Sequence, residues 1–136
     1  LSQLEYTSHY GMSRDDEVEQ IAMDVAMKYE EENGWTCEDV SSKNLGYDLK
    51  SHDPELTIRY IEVKGRAGEG PVMMSENEMN RLRQLGDLAW LYVVSNCKSN
   101  PSLYRVQDPG NQLKCKELSK GIQYLVPINE WKNKSK

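Results

Sequence analysis

Between residues 18 and 29 the chain carries apolar residues at the three- and four-residue spacing of an amphipathic helix, and two segments of the chain are predicted to be helical. The first predicts a helix over residues 14–32, because residues 13–16 have the form of a capping box and Asn33 precedes a glycine that ends the pattern. Its apolar stripe, expected to be buried, consists of Val18, Ala22, Val25 and Tyr29. The second segment starts at another capping-box sequence, residues 75–78, and predicts a helix that ends near Gly86.

Shorter segments between and after these helices have the composition of β-strands. Residues 46–51 and 56–64 flank a polar turn, which predicts a hairpin. Residues 89–95 are apolar on both faces, which suits a strand in the middle of a covered sheet. Four further segments have weaker strand character, the first of them either a short strand or an irregular approach to the sheet: 35–40, 72–74, 103–106 and 122–128. The order of helices and strands predicts an α/β domain with a mixed sheet.

The length of 136 residues fits one domain with a single core. Residues 1–12 lack periodicity and are expected to form a flexible lead-in, followed by one domain over residues 13–128. Residues 129–136 are expected to form a lysine-rich tail. The chain begins with Leu rather than Met, which favours a piece of a longer polypeptide.

The sequence contains no feature of a membrane-embedded or exported chain. Its longest uncharged apolar run, residues 88–94, is too short to span a bilayer, and no leader of basic, apolar and small residues opens it. The three cysteines are scattered, without the spacing of a zinc site, and are expected to be reduced. We therefore expect a cytoplasmic protein, or a nuclear one in a eukaryote, that is not secreted.

The charge is unevenly distributed. The net charge of −5 has the wrong sign for an autonomous, tight nucleic-acid binder, whose affinity depends on neutralising phosphates. Residues 15–32 hold eight acids against Lys28 alone, whereas residues 114–136 hold six lysines against two acids. Each run also fits a solvated face. Substantial DNA affinity is therefore expected to come from elsewhere in a longer protein.

The candidate chemistry lies on the predicted hairpin. Successive side chains of a strand point to opposite faces, so Glu62 and Lys64 share one face while Val63 points to the other. If the chain folds back near residues 53–55, an antiparallel pairing in which residue numbers sum to 110 places Asp48 across from Glu62. Two carboxylates and an ammonium group then converge, as a one- or two-metal phosphodiester hydrolase requires.

These residue types suit a hard divalent ion. Mg²⁺, or Mn²⁺ in its place, takes oxygen ligands, usually one or two carboxylates with waters and a substrate phosphate. Asp48 and Glu62 would supply the carboxylates, and the backbone carbonyl of Val63 a third ligand. Lys64 would hold or help to deprotonate a water, or stabilise developing charge. The same three charges also fit an ordinary solvated hairpin face, on which an ion pair stabilises little.

The first helix offers further carboxylates beside its apolar stripe. Glu19 and Glu30 project within about 20° of each other, yet lie roughly 16 Å apart along the helix axis. Only one of them can therefore reach a given metal ion.

The same residues carry a resemblance to a known superfamily. Asp48 followed by Glu62-Val63-Lys64 resembles the signature of PD-(D/E)XK nucleases, in which these positions bind metal and position water. A set of short segments spread over about residues 17–110 carries a second, narrower resemblance. They are Gly34-Trp35, Asp39-Val40-Ser41, Gly46-Tyr47-Asp48, residues 61–66, residues 75–78, Gly86-Asp87, residues 90–94, Leu103-Tyr104 and Asp108-Pro109. As a set they resemble the domain at the C-terminus of NO VEIN-type proteins, which is often attached to helicase or ATPase regions.

The resemblance implies a restriction-endonuclease-like core: a helix, an antiparallel three-stranded meander, a second helix and a further strand, with two helices flanking the mixed sheet. It also implies that an acid of the first helix joins the metal site. Glu19 is assigned this role, with Glu30 or Glu17 as substitutes. Asn77, in the first turn of the second helix, is a candidate phosphate contact, although an ordinary first-turn role also explains it.

The sequence therefore predicts an Mg²⁺-dependent DNA endonuclease module of a larger nucleic-acid-processing or defence protein, fused to or working with a helicase or ATPase. RNA remains open as a substrate. The alternative is a non-catalytic recognition or assembly module that has the nuclease fold and binds nucleic acid or protein partners.

Overall fold

The computed structural model describes residues 15–136. The predicted lead-in, residues 1–12, lies outside the described residues. The four helices within the described part are α1 (Asp16–Glu32), α2 (Glu76–Leu85), α3 (Pro109–Gln112) and α4 (Ile128–Asn133). The strands are β1 (Thr36–Asp39), β2 (Leu49–His52), β3 (Ile58–Gly65), β4 (Val72–Ser75), β5 (Ala89–Ser95), β6 (Ser102–Gln107), β7 (Lys116–Leu118) and β8 (Gln123–Val126). None of the described helices is long and apolar enough to cross a membrane.

Helix α1 begins one residue after its cap. The carboxylate of Asp15 accepts hydrogen bonds from the backbone N–H groups of Glu17 at 3.0 Å and Val18 at 3.2 Å. Asp15 is therefore the N-cap, in place of the capping box predicted for residues 13–16. The fully buried face of the helix consists of Val18, Ala22, Ala26 and Glu30.

Five strands form the larger sheet, in the order β1-β2-β3-β5-β6. Every neighbouring pair is antiparallel except β3 and β5, which run parallel. A parallel neighbour requires a crossover, and the chain makes it through β4 and α2. The mixed α/β class predicted from the sequence is confirmed, with a mostly antiparallel central sheet.

The hairpin has the predicted register. Leu49 pairs with Ile61 and His52 with Ile58, so paired residue numbers sum to 110. The ladder begins at Leu49, which leaves Asp48 immediately before β2 rather than inside it. At the turn, the carboxylate of Asp53 accepts two backbone hydrogen bonds, which fold the chain back where the sequence indicates.

A second, three-stranded sheet has the order β4-β8-β7 and was not predicted from the sequence. Strand β4 pairs with β8 rather than with the larger sheet, from Val72 opposite Val126 to Ser75 opposite Gln123. Helix α2 begins directly after β4, and its predicted capping box is confirmed: Ser75 and Glu78 exchange both hydrogen bonds. Gly86 ends this helix, as expected.

The two faces of β5 divide the core. Trp90 and Tyr92 belong to a cluster with Leu49, Ile61 and Ala26 of α1. The intervening residues of β5 belong to a larger cluster on the other face, shared with α2, α4 and the second sheet: Leu91 and Val93. All seven residues of β5 are buried, because both faces of the strand are covered. This explains why residues 89–95 are apolar on both faces.

Glu30 lies in a buried polar cluster of its own. Its carboxylate accepts hydrogen bonds from Arg59 at 2.9 Å and from the hydroxyl of Tyr92 at 2.8 Å. The Arg59 guanidinium stacks on the ring of Trp35, 3.7 Å from its centroid. Burial and the Glu30 carboxylate raise the pKa of Tyr92, so this hydroxyl stays protonated and keeps donating.

The segment predicted as a tail, residues 129–136, is instead part of the fold. Trp131 of α4 is fully buried, and its indole N–H donates to the carbonyl of Gly70 at 3.2 Å. The chain end is also held, because the backbone N–H of Lys136 donates to the carbonyl of Arg105 at 2.7 Å. The lysine content of this segment suggested a solvated tail. The buried aromatic ring of Trp131 instead docks the short helix α4 onto the core.

We expect Trp131→Ala to lower the free energy of unfolding by about 3–5 kcal/mol, because it removes a fully buried aromatic side chain and its hydrogen bond. Urea unfolding followed by circular dichroism measures this loss. Lys132→Ala, one residue away and exposed, is the control and should change the stability little. Equal stability of the two variants would contradict the docking of α4.

We expect Arg59→Met to cost about 3–5 kcal/mol of stability, because it leaves the Glu30 carboxylate buried without its cation. Its control is Lys28→Met on α1, the helix that carries Glu30. This variant removes an exposed ion pair in which Nζ of Lys28 lies 3.7 Å from Oε1 of Glu32. Chemical denaturation of both variants measures the difference. A loss for Arg59→Met no greater than that for Lys28→Met would rule out a stabilising role for the buried pair.

Candidate active site

Four charged side chains meet beside the C-terminal half of β3. Glu62 and Lys64 project from the same face of this strand, because they are two residues apart. Asp48 comes from the residue before β2, and Glu78 from the first turn of α2. The structure thus brings together the three residues predicted from the hairpin and adds a carboxylate from the crossover helix.

Lys64 lies between two carboxylates. Its Nζ is 3.2 Å from Oε2 of Glu62 and 2.9 Å from Oε1 of Glu78. The Lys64 side chain is 21 % exposed and that of Glu62 only 3 %. The ammonium is therefore held near the protein surface, while its partner on the same strand is enclosed.

Asp48 is fixed by backbone contacts with β3. Its Oδ2 accepts a hydrogen bond from the N–H of Val63 at 2.8 Å, and its own N–H donates to the carbonyl of Ile61 at 2.9 Å. Gly46, two residues earlier, has a φ of +87°, and a Cβ there would lie 2.7 Å from Cβ of Arg81 on α2. Glycine therefore allows the chain that carries Asp48 to pass close to α2.

Burial sets the charge balance of the cluster. Desolvation raises the pKa of Glu62 well above its ordinary value, against the attraction of Lys64, and Glu78 and Asp48 add to the rise. Desolvation likewise raises the pKa of Asp48, although the Val63 N–H and Lys64 oppose it. Burial alone would lower the pKa of Lys64, but the carboxylates of Glu62 and Glu78 outweigh it and raise that pKa. Burial alone would raise the pKa of Glu78, but the Lys64 ammonium and the hydrogen bonds of the Glu78 carboxylate outweigh burial and lower that pKa.

A cleft of about 500 Å³ opens beside this cluster. Helix α1 supplies Asp16 and Glu19 to its lining, and the cluster supplies Asp48, Glu62 and Glu78. The remaining lining residues are Gln20, Ala22, Met23, Asp39, Ser41, Val63, Lys64 and Gly65. Six of the thirteen lining residues are acids and one is a lysine, so the cleft favours cations over phosphates.

A second cavity of about 200 Å³ shares Ser41, Asp48, Glu62 and Glu78 with the first. Asn77 lines it, as do the residues of the 44–47 loop. The exposed Asn77 side chain thus lies next to the carboxylate cluster, where the sequence placed a candidate phosphate contact.

The helix acids separate as their spacing indicated. Glu19 lines the cleft, whereas Glu30 is committed to Arg59 and Tyr92 in the buried cluster. Glu17 is exposed and is not among the residues that line the cleft. Of the three candidates from α1, the structure brings only Glu19 to the site, and Glu30 is corrected to a structural role.

The donor set is small. Among residues 15–136, no group of three or more His, Cys, Asp or Glu side chains is arranged to hold a metal ion. Asp48, Glu62 and Val63 all line the cleft. One or two carboxylates are the protein ligands with which Mg²⁺ usually binds while it keeps several waters. Crowded carboxylates with raised pKa values also fit a cation, because a positive charge would relieve their repulsion.

Glu78 was not predicted as a site residue, because capping was the favoured explanation for it. Its place three residues after Ser75 is explained by helix capping alone, and this hid its second role. The available signal was the position of the helix start, which directly follows a strand in the crossover between β3 and its parallel neighbour β5.

Comparison with known proteins agrees with the narrower resemblance. A sequence model of the family described as "Protein NO VEIN, C-terminal" matches residues 18–106, well over half of the chain. The match includes Glu19, Asp48, Glu62, Lys64 and Glu78. No curated protein and no solved structure matches the chain. The chain belongs to the NO VEIN C-terminal domain family.

Proposed function

We propose that this domain is an Mg²⁺-dependent DNA endonuclease module of the PD-(D/E)XK type. The observation that carries the proposal is the convergence of Asp48, Glu62 and Lys64 on one cleft. Asp48 comes from the residue just before β2, and Glu62 and Lys64 come from β3, which pairs with β2 in the predicted register. A solvated surface pair does not explain the site, because Glu62 is almost completely buried.

The chain order supports a restriction-endonuclease-like core. Helix α1, the antiparallel meander β1-β2-β3, helix α2 and the parallel strand β5 occur in this order, with β4 of the second sheet inserted between β3 and α2. This order places the carboxylates at the strand that pairs with both its antiparallel and its parallel neighbour. Side chains on this central strand are held by pairing on both sides, which suits a site that needs fixed geometry.

Asp48, Glu62 and the backbone carbonyl of Val63 would hold Mg²⁺ or Mn²⁺. When bound, the ion would polarise the scissile phosphate and lower the pKa of an attacking water. Lys64 stays protonated beside the ligands and stabilises negative charge that develops on the phosphate. The Val63 N–H keeps the Asp48 carboxylate in place. Glu19, which lines the same cleft, is the candidate for a further carboxylate ligand.

DNA is the substrate that the proposal favours, with RNA a second possibility. The acidic cleft gives little attraction to phosphates of its own, and the net charge of the chain is −5. We therefore propose that a helicase or ATPase region, in the same polypeptide or a partner, delivers the strand. Asn77 lines the cavity next to the carboxylates, and we propose it as a phosphate contact.

One observation favours the alternative, a non-catalytic recognition or assembly module. Lys64 is paired with both Glu62 and Glu78, so an internal cation already offsets part of the carboxylate charge. In such a module the carboxylates would remain paired with Lys64 and would not take up a metal ion. Metal binding separates the two functions.

We expect Glu62→Gln and Lys64→Ala to lower DNA cleavage in Mg²⁺ or Mn²⁺ by about 10²–10³-fold, because each removes a charge that contacts the reacting groups or the metal. Plasmid and single-stranded DNA cleavage, at matched folded fraction, measures the loss. Lys50→Ala, an exposed lysine of the same hairpin, is the control and should keep its activity. Equal cleavage by Lys64→Ala and the unchanged protein would remove Lys64 from the mechanism.

We expect isothermal titration calorimetry to detect Mg²⁺ or Mn²⁺ binding that is lost in Asp48→Asn and Glu62→Gln, because each variant removes a charged oxygen ligand. Glu55→Gln, at the exposed hairpin turn, is the matched control and should bind as the unchanged protein does. Absence of metal-dependent heat, together with tight binding to a protein partner, would support the assembly module instead.

A further inference from the structure

The Glu78 carboxylate makes two contacts, one with the cap of α2 and one with Lys64. Its Oε1 accepts a hydrogen bond from the backbone N–H of Ser75 at 2.9 Å and contacts Nζ of Lys64 at the same distance. The backbone N–H of Glu78 in turn donates to the hydroxyl of Ser75 at 3.1 Å. The cap of α2 and the ammonium of the site are thus joined at one oxygen atom.

The cap restricts the position of this carboxylate. A glutamate side chain on an exposed helix surface samples several rotamers, but the Ser75 N–H selects the one that folds back over the helix start. Lys64, in contrast, has a flexible four-carbon stem and a compact charge that specifies no direction by itself. The contact with Glu78 therefore supplies a direction that the lysine side chain lacks.

Glu62 cannot supply that direction alone. Its contact with Lys64 is longer, 3.2 Å against 2.9 Å, and both residues lie on one strand face. With Glu62 as its sole partner, the ammonium would compete directly for an oxygen that the proposed metal ion needs. Glu78, from the first turn of α2, gives the ammonium a second and shorter contact.

We propose that Glu78 is a positioning residue, which uses the cap of α2 to hold the Lys64 ammonium beside the carboxylates of the site. The inference rests on the proposed nuclease function for its catalytic consequence, although the positioning itself does not. Glu78 acts through Lys64, and its carboxyl group also shares a hydrogen bond with that of Glu62. The start of a crossover helix thereby becomes part of the geometry of the site.

Glu78→Gln tests the charge without removing the cap, because glutamine also completes a capping box. Ser75→Ala is the matched opposite: it removes the hydroxyl acceptor but keeps the backbone N–H that binds Glu78. We expect Ser75→Ala to lower the thermal midpoint by a few degrees and to keep cleavage activity per folded molecule. We expect Glu78→Gln to keep its thermal midpoint and to lower kcat about 10- to 100-fold, with KM for DNA little changed.

Nuclear magnetic resonance gives a readout that does not depend on activity. In the metal-free protein, ¹³C relaxation at Cε of Lys64, assigned with Lys64→Arg, reports how firmly the side-chain end is held. We expect this carbon to be as ordered as the backbone in the unchanged protein and in Ser75→Ala, and markedly more mobile in Glu78→Gln. The exposed Lys50, whose Nζ lies 6.0 Å from the centroid of the Tyr60 ring, serves as the internal reference for a lysine end without an ion pair.

The two readouts separate the possible failures. If Lys64 is equally ordered in Glu78→Gln and in the unchanged protein, the positioning role is overturned, whatever the activity. If Lys64 loosens but no protein cleaves DNA, positioning stands and the nuclease function fails. A rise in activity in Glu78→Gln would overturn the proposal by showing that the contact restrains Lys64 from its task.

Discussion

Strand β3 imposes the constraint on which the rest of the structure depends. It pairs antiparallel with β2 and parallel with β5, so its two faces must serve two different environments. Ile61 and Val63 pack in the clusters that contain residues of α1, while Glu62 and Lys64 face the side of α2. Period-2 geometry alone therefore separates the core from the candidate site.

The charged side chains on the α2 side of β3 are enclosed by the protein and balance one another there. Three carboxylates surround a single lysine, and the pKa of Glu62 is raised because the site is enclosed. Capping of α2 resolves part of this repulsion, since Glu78 satisfies a helix N–H and the ammonium with one oxygen. A further cation would be favourable beside such a cluster, because it would offset part of the carboxylate charge.

The local features were predictable because neighbouring residues specify them. The capping box at Ser75, the buried run of β5 and the register of the β2–β3 hairpin follow from short patterns, and the structure has all of them. Features that depend on distant partners were not. The pairing of β4 with β8 joins residues about fifty positions apart, and the docking of Trp131 against Gly70 spans a similar distance.

The sequence by itself determined that Asp48, Glu62 and Lys64 share one face, because a strand alternates and a hairpin fixes its own register. Only the tertiary structure decided which helix carboxylates join them. Glu19 and Glu30 project in similar directions from α1. Glu30 is buried and hydrogen-bonded to Arg59 and Tyr92, whereas Glu19 lines the cleft. Glu78 reaches Lys64 because the crossover brings the start of α2 to β3, an approach that depends on the parallel pairing of β3 with β5.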